Sequence, residues 1–107
     1  MPNGGDRNWV RACGAIDGFR ARYGRWPTHL RMESGYYDDL VHHILTPEGF
    51  KRVDAVVKFV IDAAAVMIAE DDAGNRYDYA AEGFSREDPG VRTFNWFGSD
   101  VVRRGLD

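Results

Sequence analysis

From residue 8 to residue 23 the apolar side chains return at steps of three and four: Trp9, Ala12, Cys13, Ile16, Phe19 and Tyr23. A helix carries such positions on one face, so the spacing predicts an amphipathic helix over residues 8–23. Asn8 is its candidate N-cap. Gly24 stands where a glycine ends a helix, and Arg20 and Arg22 suit the negative end of the helix dipole. Arg7, Arg11 and Arg22 fall on the opposite side. Gly14 and Gly18 each weaken the helix by about 1 kcal/mol relative to Ala, but their four-residue spacing lets a neighbouring backbone come close. A helix with one such face has to be covered by further layers of the chain.

The remaining elements follow from local signals. The segment between Gly24 and the next helix is a connection, in which Trp26 precedes Pro27 and is pushed toward extended geometry. A second helix is expected over residues 36–45, with Tyr37, Leu40, Val41, Ile44 and Leu45 inward. Thr46-Pro47-Glu48 is a helix start, with Thr as N-cap, Pro in the first turn and an acid beside it. Phe50, Val53, Val57 and Val60 continue that stripe and place the end of this third helix at residues 60–62. Residues 65–70 and 76–80 are expected to be two strands joined by the loop Asp71-Asp72-Ala73-Gly74-Asn75, with Tyr77 and Tyr79 on one face. A hairpin alone is marginal in water, and the alternating, aromatic residues 92–97 are the candidate third strand. Residues 85–90 would connect it. The expected fold is α+β: three N-terminal helices packed on a small antiparallel sheet, in a single domain over residues 1–107.

Composition narrows the class. The 107 residues are 44% hydrophobic, 13% aromatic and 29% charged, which suits one ordered core rather than disorder. Cys13 is the only cysteine, so no internal disulfide forms. Residues 1–7 hold no apolar core of signal-peptide length, and the longest apolar stretch, residues 63–69, is far short of the roughly 20 residues a membrane span needs. A cytoplasmic protein without membrane partners is expected. Arginine outnumbers lysine heavily, Lys51 and Lys58 being the only lysines, a skew that suits GC-rich bacterial coding. Net charge is −3 but uneven. Residues 1–31 carry Arg7, Arg11, Arg20, Arg22, Arg25 and Arg31 against Asp6 and Asp17, a balance of +4, whereas residues 32–90 are strongly acidic. Any basic footprint for a polyanion is therefore local.

The most distinctive run is Phe19, Tyr23, Gly24, Arg25, Pro27 and Thr28. Its pattern, Phe-x-x-x-Tyr-Gly-Arg-x-Pro-Thr, resembles a stretch of the short helix–turn–helix repeats associated with homing endonucleases. It is also similar to repeats of helicase-associated domains. The resemblance covers residues 19–28 and implies nucleic-acid contact through Arg20, Arg22 and Arg25, to which Arg11 on the same helix adds a fourth charge. No compact recognition helix follows, and Asp38 and Asp39 would repel phosphate. The competing reading is a helix stop whose aromatics plug the core: a buried Trp26 suits the plug, an exposed one a binding surface.

Three further constellations carry chemistry. Asp38 and Asp39 precede His42 and His43 by four residues each, a spacing that begins many metal sites, with His29 or Glu33 as the further ligand needed. The same arrangement also suits the helix dipole and solvated i,i+4 pairs. Cys13 with a histidine could act as a nucleophile, but it lies in the apolar stripe where structural thiols sit. The acidic loop 70–75 lacks the alternating ligands of the helix–loop–helix calcium motif. No motif calls for a cofactor. The aromatic residues Trp9, Trp26, Tyr36, Tyr37 and Trp96 are many large rings for a small domain, and those left outside form a patch for a protein partner, a small ligand or a second copy. The leading expectation is thus a non-enzymatic interaction protein with an aromatic patch. The alternatives are a small nucleic-acid-binding regulator and a metal-binding protein or enzyme.

Overall fold

The computed structural model describes residues 7–83 and 91–103. Five helices pack with a four-stranded mixed sheet, an α+β fold. The elements are α1 (Arg7–Tyr23), β1 (His29–Met32), α2 (Ser34–Asp38) running into a π-helical turn (Asp39–Ile44), α3 (Pro47–Asp54), β2 (Lys58–Ile61), β3 (Ile68–Glu70), β4 (Arg76–Asp78), α4 (Tyr79–Glu82) and α5 (Val91–Phe97), then a 3-10 turn (Ser99–Val101). Among the described residues no helix is long and apolar enough to cross a membrane.

The first helix forms as its spacing requires. Trp9, Ala12, Cys13, Ile16 and Phe19 are buried, and Gly24 ends the helix with φ 74° while donating its N–H to the Arg20 carbonyl at 2.8 Å. Asn8 is not the cap. It lies inside α1, where its amide donates to Asp39 at 2.7 Å and accepts from Arg11 at 2.8 Å. Gly18 meets a ring rather than a backbone: a Cβ there would overlap the Tyr77 side chain, so α1 can lie on β4 only through a glycine.

Strand order is β2-β1-β3-β4, with β1–β2 parallel and the other two pairs antiparallel. The sheet is therefore mixed, not the antiparallel sheet expected, and its extra strands come from segments with no strand signal. Residues 29–32 read as connection and residues 58–61 as the tail of α3. The helix start at Thr46 is as expected, its hydroxyl accepting from Gly49 N at 2.9 Å. The helix nevertheless stops at Asp54. After a turn at Val56 and Val57, the β-favouring Phe59, Val60 and Ile61 gain more as an edge strand on β1 than as a further helical turn. A parallel pair needs a helical crossover, and α2, the π-helical turn and α3 supply it.

The hairpin is where the sequence placed it, with Glu70 paired to Arg76 across residues 71–75, but Tyr79 is not in it. The Asp78 side chain accepts from Ala80 N and starts α4 at Tyr79. Residues 91–97 are a helix, not the third strand: Thr93 and Phe97 are buried while Arg92, Asn95 and Trp96 are exposed, which is helical spacing. The connection expected at residues 85–90 lies outside the described residues.

In register, Phe59, Leu30, Ala69 and Tyr77 line one face of the sheet, and this face meets the helices. The other face carries Lys58, Val60, His29, Arg31, Ile68, Glu70, Arg76 and Asp78. There Arg31 bonds Glu70 at 2.8 Å and lies 3.6 Å from Asp62.

Candidate functional site

Aromatic rings form a ladder from the core to the surface. Trp9, fully buried on α1, contacts Phe97 at 5.9 Å between centroids. Phe97 contacts Trp26 at 5.7 Å, and Trp26 meets Trp96 edge-on at 5.1 Å. Trp96 is 56% exposed. The backbone explains the placement. Gly24 turns the chain out of α1, Pro27 is buried and holds the chain extended, and α5 points Phe97 inward and Trp96 outward.

Trp26 is half-buried, so it is neither wholly a plug nor wholly a surface residue. Its face is covered by the Arg20 guanidinium, 4.1 Å from the ring centroid. Such a contact contributes about 0.5–1 kcal/mol where solvent reaches it. Of the other aromatics singled out from sequence, Trp9 lies in the core, where its Nε1 has no hydrogen-bond partner among the described residues. Tyr36 and Tyr37 are half-buried against the core on α2. Tyr37 belongs to a separate cluster with Phe50 and Phe59, at 6.5 and 6.4 Å.

The arginines of the nucleic-acid alternative are tied to neighbours. Arg11 donates to Asn8, and Arg20 lies between Trp26 and Asp17, 3.8 Å from the latter carboxylate. Arg22 forks onto both carboxylate oxygens of Glu82 and lies over the Tyr77 ring. Their hydrogen bonds raise the Arg22 pKa and hold the Glu82 carboxyl below its ordinary value. Arg25 bonds Asp71, whose carboxylate also accepts from the N–H groups of Ala73 and Asn75 and from the Asn75 amide. Burial opposes ionisation of Asp71, yet these bonds prevail and bring its pKa down to about 2. The acidic loop is thus organised around one carboxylate.

His42 and His43 are exposed on the π-helical turn, Asp38 is exposed, and Asp39 is held by Asn8. His29 Nδ1 pairs with the Thr28 hydroxyl at 2.7 Å, and Glu33 is exposed. Among the described residues no group of three His, Cys, Asp or Glu side chains could hold a metal ion. Cys13 is buried within α1.

The sequence reading missed Asp17, which is 2% exposed and accepts from both the N–H and the hydroxyl of Thr93. The signal was present: Asp17 stands four residues after Cys13 and one after Ile16, inside the apolar stripe. A carboxylate placed there needs a buried donor. Compared with protein-family models, with curated proteins and with solved structures, the chain gives no match.

Proposed function

We propose that this chain is a non-enzymatic interaction module that engages a protein partner through Trp96 and the half-buried Trp26 beside it. The observation that carries it is the exposure of Trp96, 56%, at the outer end of a ring ladder anchored in the core. Tryptophan held rigidly on a packed support loses little conformational freedom on binding and buries a large apolar area, which is why it is enriched among interface hot spots. Arg20, packed on Trp26, offers a neighbouring cation to an acidic or carbonyl group of that partner. A protein fits better than a nucleic-acid backbone because Arg22 and Arg25 are already engaged by Glu82 and Asp71.

The test is site-specific photocrosslinking in the producing cell, with the photoreactive residue at position 96 or, as a control, at exposed position 76 on the open sheet face. One protein captured at 96 and not at 76 is expected. With that partner purified, Trp96→Ala should weaken binding by at least about tenfold while lowering the melting temperature by no more than a few degrees. The same products at both positions, or equal binding by Trp96→Ala, would refute the assignment.

A further inference from the structure

Among the described residues the edge strand β2 is open, apolar and self-complementary. It is the terminal strand on the β1 side of the sheet. Lys58 donates its N–H to Thr28 and Asp62 donates to Met32, so the alternate residues 58, 60 and 62 direct their main-chain groups at β1. Phe59 and Ile61 therefore turn their N–H and C=O outward, and among the described residues neither has a main-chain partner there. Ile61 is 54% exposed, and Phe59 and Val60 are half-buried. Natural sheets usually blunt such an edge with proline, charge or a bulge, whereas here the three central residues are all apolar.

We propose that this edge joins a second copy of the same chain, with the two β2 strands antiparallel about a twofold axis beside Val60. Pairing Phe59 of each copy with Ile61 of the other satisfies all the outward groups of both residues and forms four main-chain hydrogen bonds. The same register sets Val60 opposite Val60 of the second copy and Lys58 opposite Asp62 of the second copy. The sequence Lys58-Phe59-Val60-Ile61-Asp62 is charge-complementary to itself only when reversed. A parallel arrangement in the same register would set like charges side by side. Within the chain Lys58 pairs loosely with Asp54 at 3.8 Å and Asp62 with Arg31 at 3.6 Å, and Asp62 also accepts from Ala64 N at 3.0 Å, so the contact between copies exchanges or shares these long, solvent-exposed pairs. On the helix-covered face, Ile61 would be buried against Phe59 of the second copy, extending the cluster of Phe59, Tyr37 and Phe50.

The strand is four residues long, so the dimer is expected to be weak and to form with concentration. Sedimentation equilibrium from about 5 µM to about 500 µM should show reversible monomer–dimer exchange. Lys58→Glu and Asp62→Lys should each weaken it about tenfold, and the double variant should restore it. A register test is independent of these. Val60→Cys should give a disulfide-linked dimer on oxidation, because opposed residues of a non-hydrogen-bonded pair lie within disulfide reach. Ile61→Cys, though more exposed, should link far more slowly, and the native Cys13 is buried. Trp96→Ala should leave the dimer intact, which separates this interface from the proposed partner surface. A monomer throughout the range, failure of the charge swap to restore association, or Ile61→Cys linking as fast as Val60→Cys overturns the proposal.

Discussion

Asp17 and Thr93, 76 positions apart, fasten α5 to α1: the buried carboxylate accepts from the Thr93 N–H at 3.1 and 3.2 Å and from its hydroxyl. Thr93 lies in the first turn of α5, whose leading N–H groups have no partner within the helix. The carboxylate thus acts as a cap supplied from another element, and its negative charge suits that end of the helix. Arg20, 3.8 Å away, keeps the buried charge from being isolated.

Removing this carboxylate should therefore loosen the whole C-terminal part of the ring ladder. Asp17→Asn is expected to cost about 2–4 kcal/mol in urea unfolding, since it weakens charge-assisted bonds inside the core. The near-ultraviolet signal of Trp26 and Trp96 should weaken with it. A loss below about 0.5 kcal/mol would show that α5 is held by its apolar contacts alone.

Gly18 sets a second, sign-reversing test. Alanine is favoured over glycine by about 1 kcal/mol within a helix, but here its Cβ would overlap the Tyr77 ring. The ring is fixed by its own hydroxyl, which donates to the Gly83 carbonyl at 2.7 Å. Overpacking of this kind costs about 1–3 kcal/mol, so Gly18→Ala should be net destabilising. In a Tyr77→Ala background the same substitution should stabilise, and calorimetry of the four proteins reads both signs.

Asp71 predicts the acid limb of the stability profile. Its carboxyl is held at about 2 against an ordinary 3.8. A depressed carboxylate stabilises the fold fully above its unfolded value and loses that contribution as pH falls through the folded one. The melting temperature of Asp71→Asn should lie below that of the native chain at neutral pH, and the gap should close between pH 3.8 and about 2. A gap that persists unchanged to pH 2 would mean that the charge of Asp71 is not what orders the loop.

Trp26 and Trp96 should separate cleanly. Trp26 lies between Arg20 and two rings, so Trp26→Ala is expected to destabilise by about 2–3 kcal/mol. Trp96→Ala removes an exposed ring and should cost less than about 1 kcal/mol. Acrylamide should quench the Trp96 contribution to the fluorescence most strongly. Equal losses for the two variants would show that Trp96 is part of the core.

What the sequence made legible was local. The spacing from Trp9 to Phe19, the stop at Gly24, the start at Thr46-Pro47 and the hairpin about residues 71–75 each depend on neighbours a few positions away. Of the candidate surface, the prominence of Trp26 and Trp96 was legible, but not which ring would be outermost.

The misread segments were those whose state is set at a distance. His29–Met32 and Lys58–Ile61 are four residues each, too short for a period to declare itself, and they become strands only by pairing with each other and with β3. Residues 92–97 alternate like a strand, yet Asp17 of α1 and the inner ring Trp9 make them a helix. Sequence alone determined the long helix, its stop and the hairpin, because helix and turn hydrogen bonds close within a few residues. Only tertiary structure decided the sheet order, the open edge at β2 and the exposure of Trp96, because strand hydrogen bonds and borrowed caps are completed by residues far along the chain.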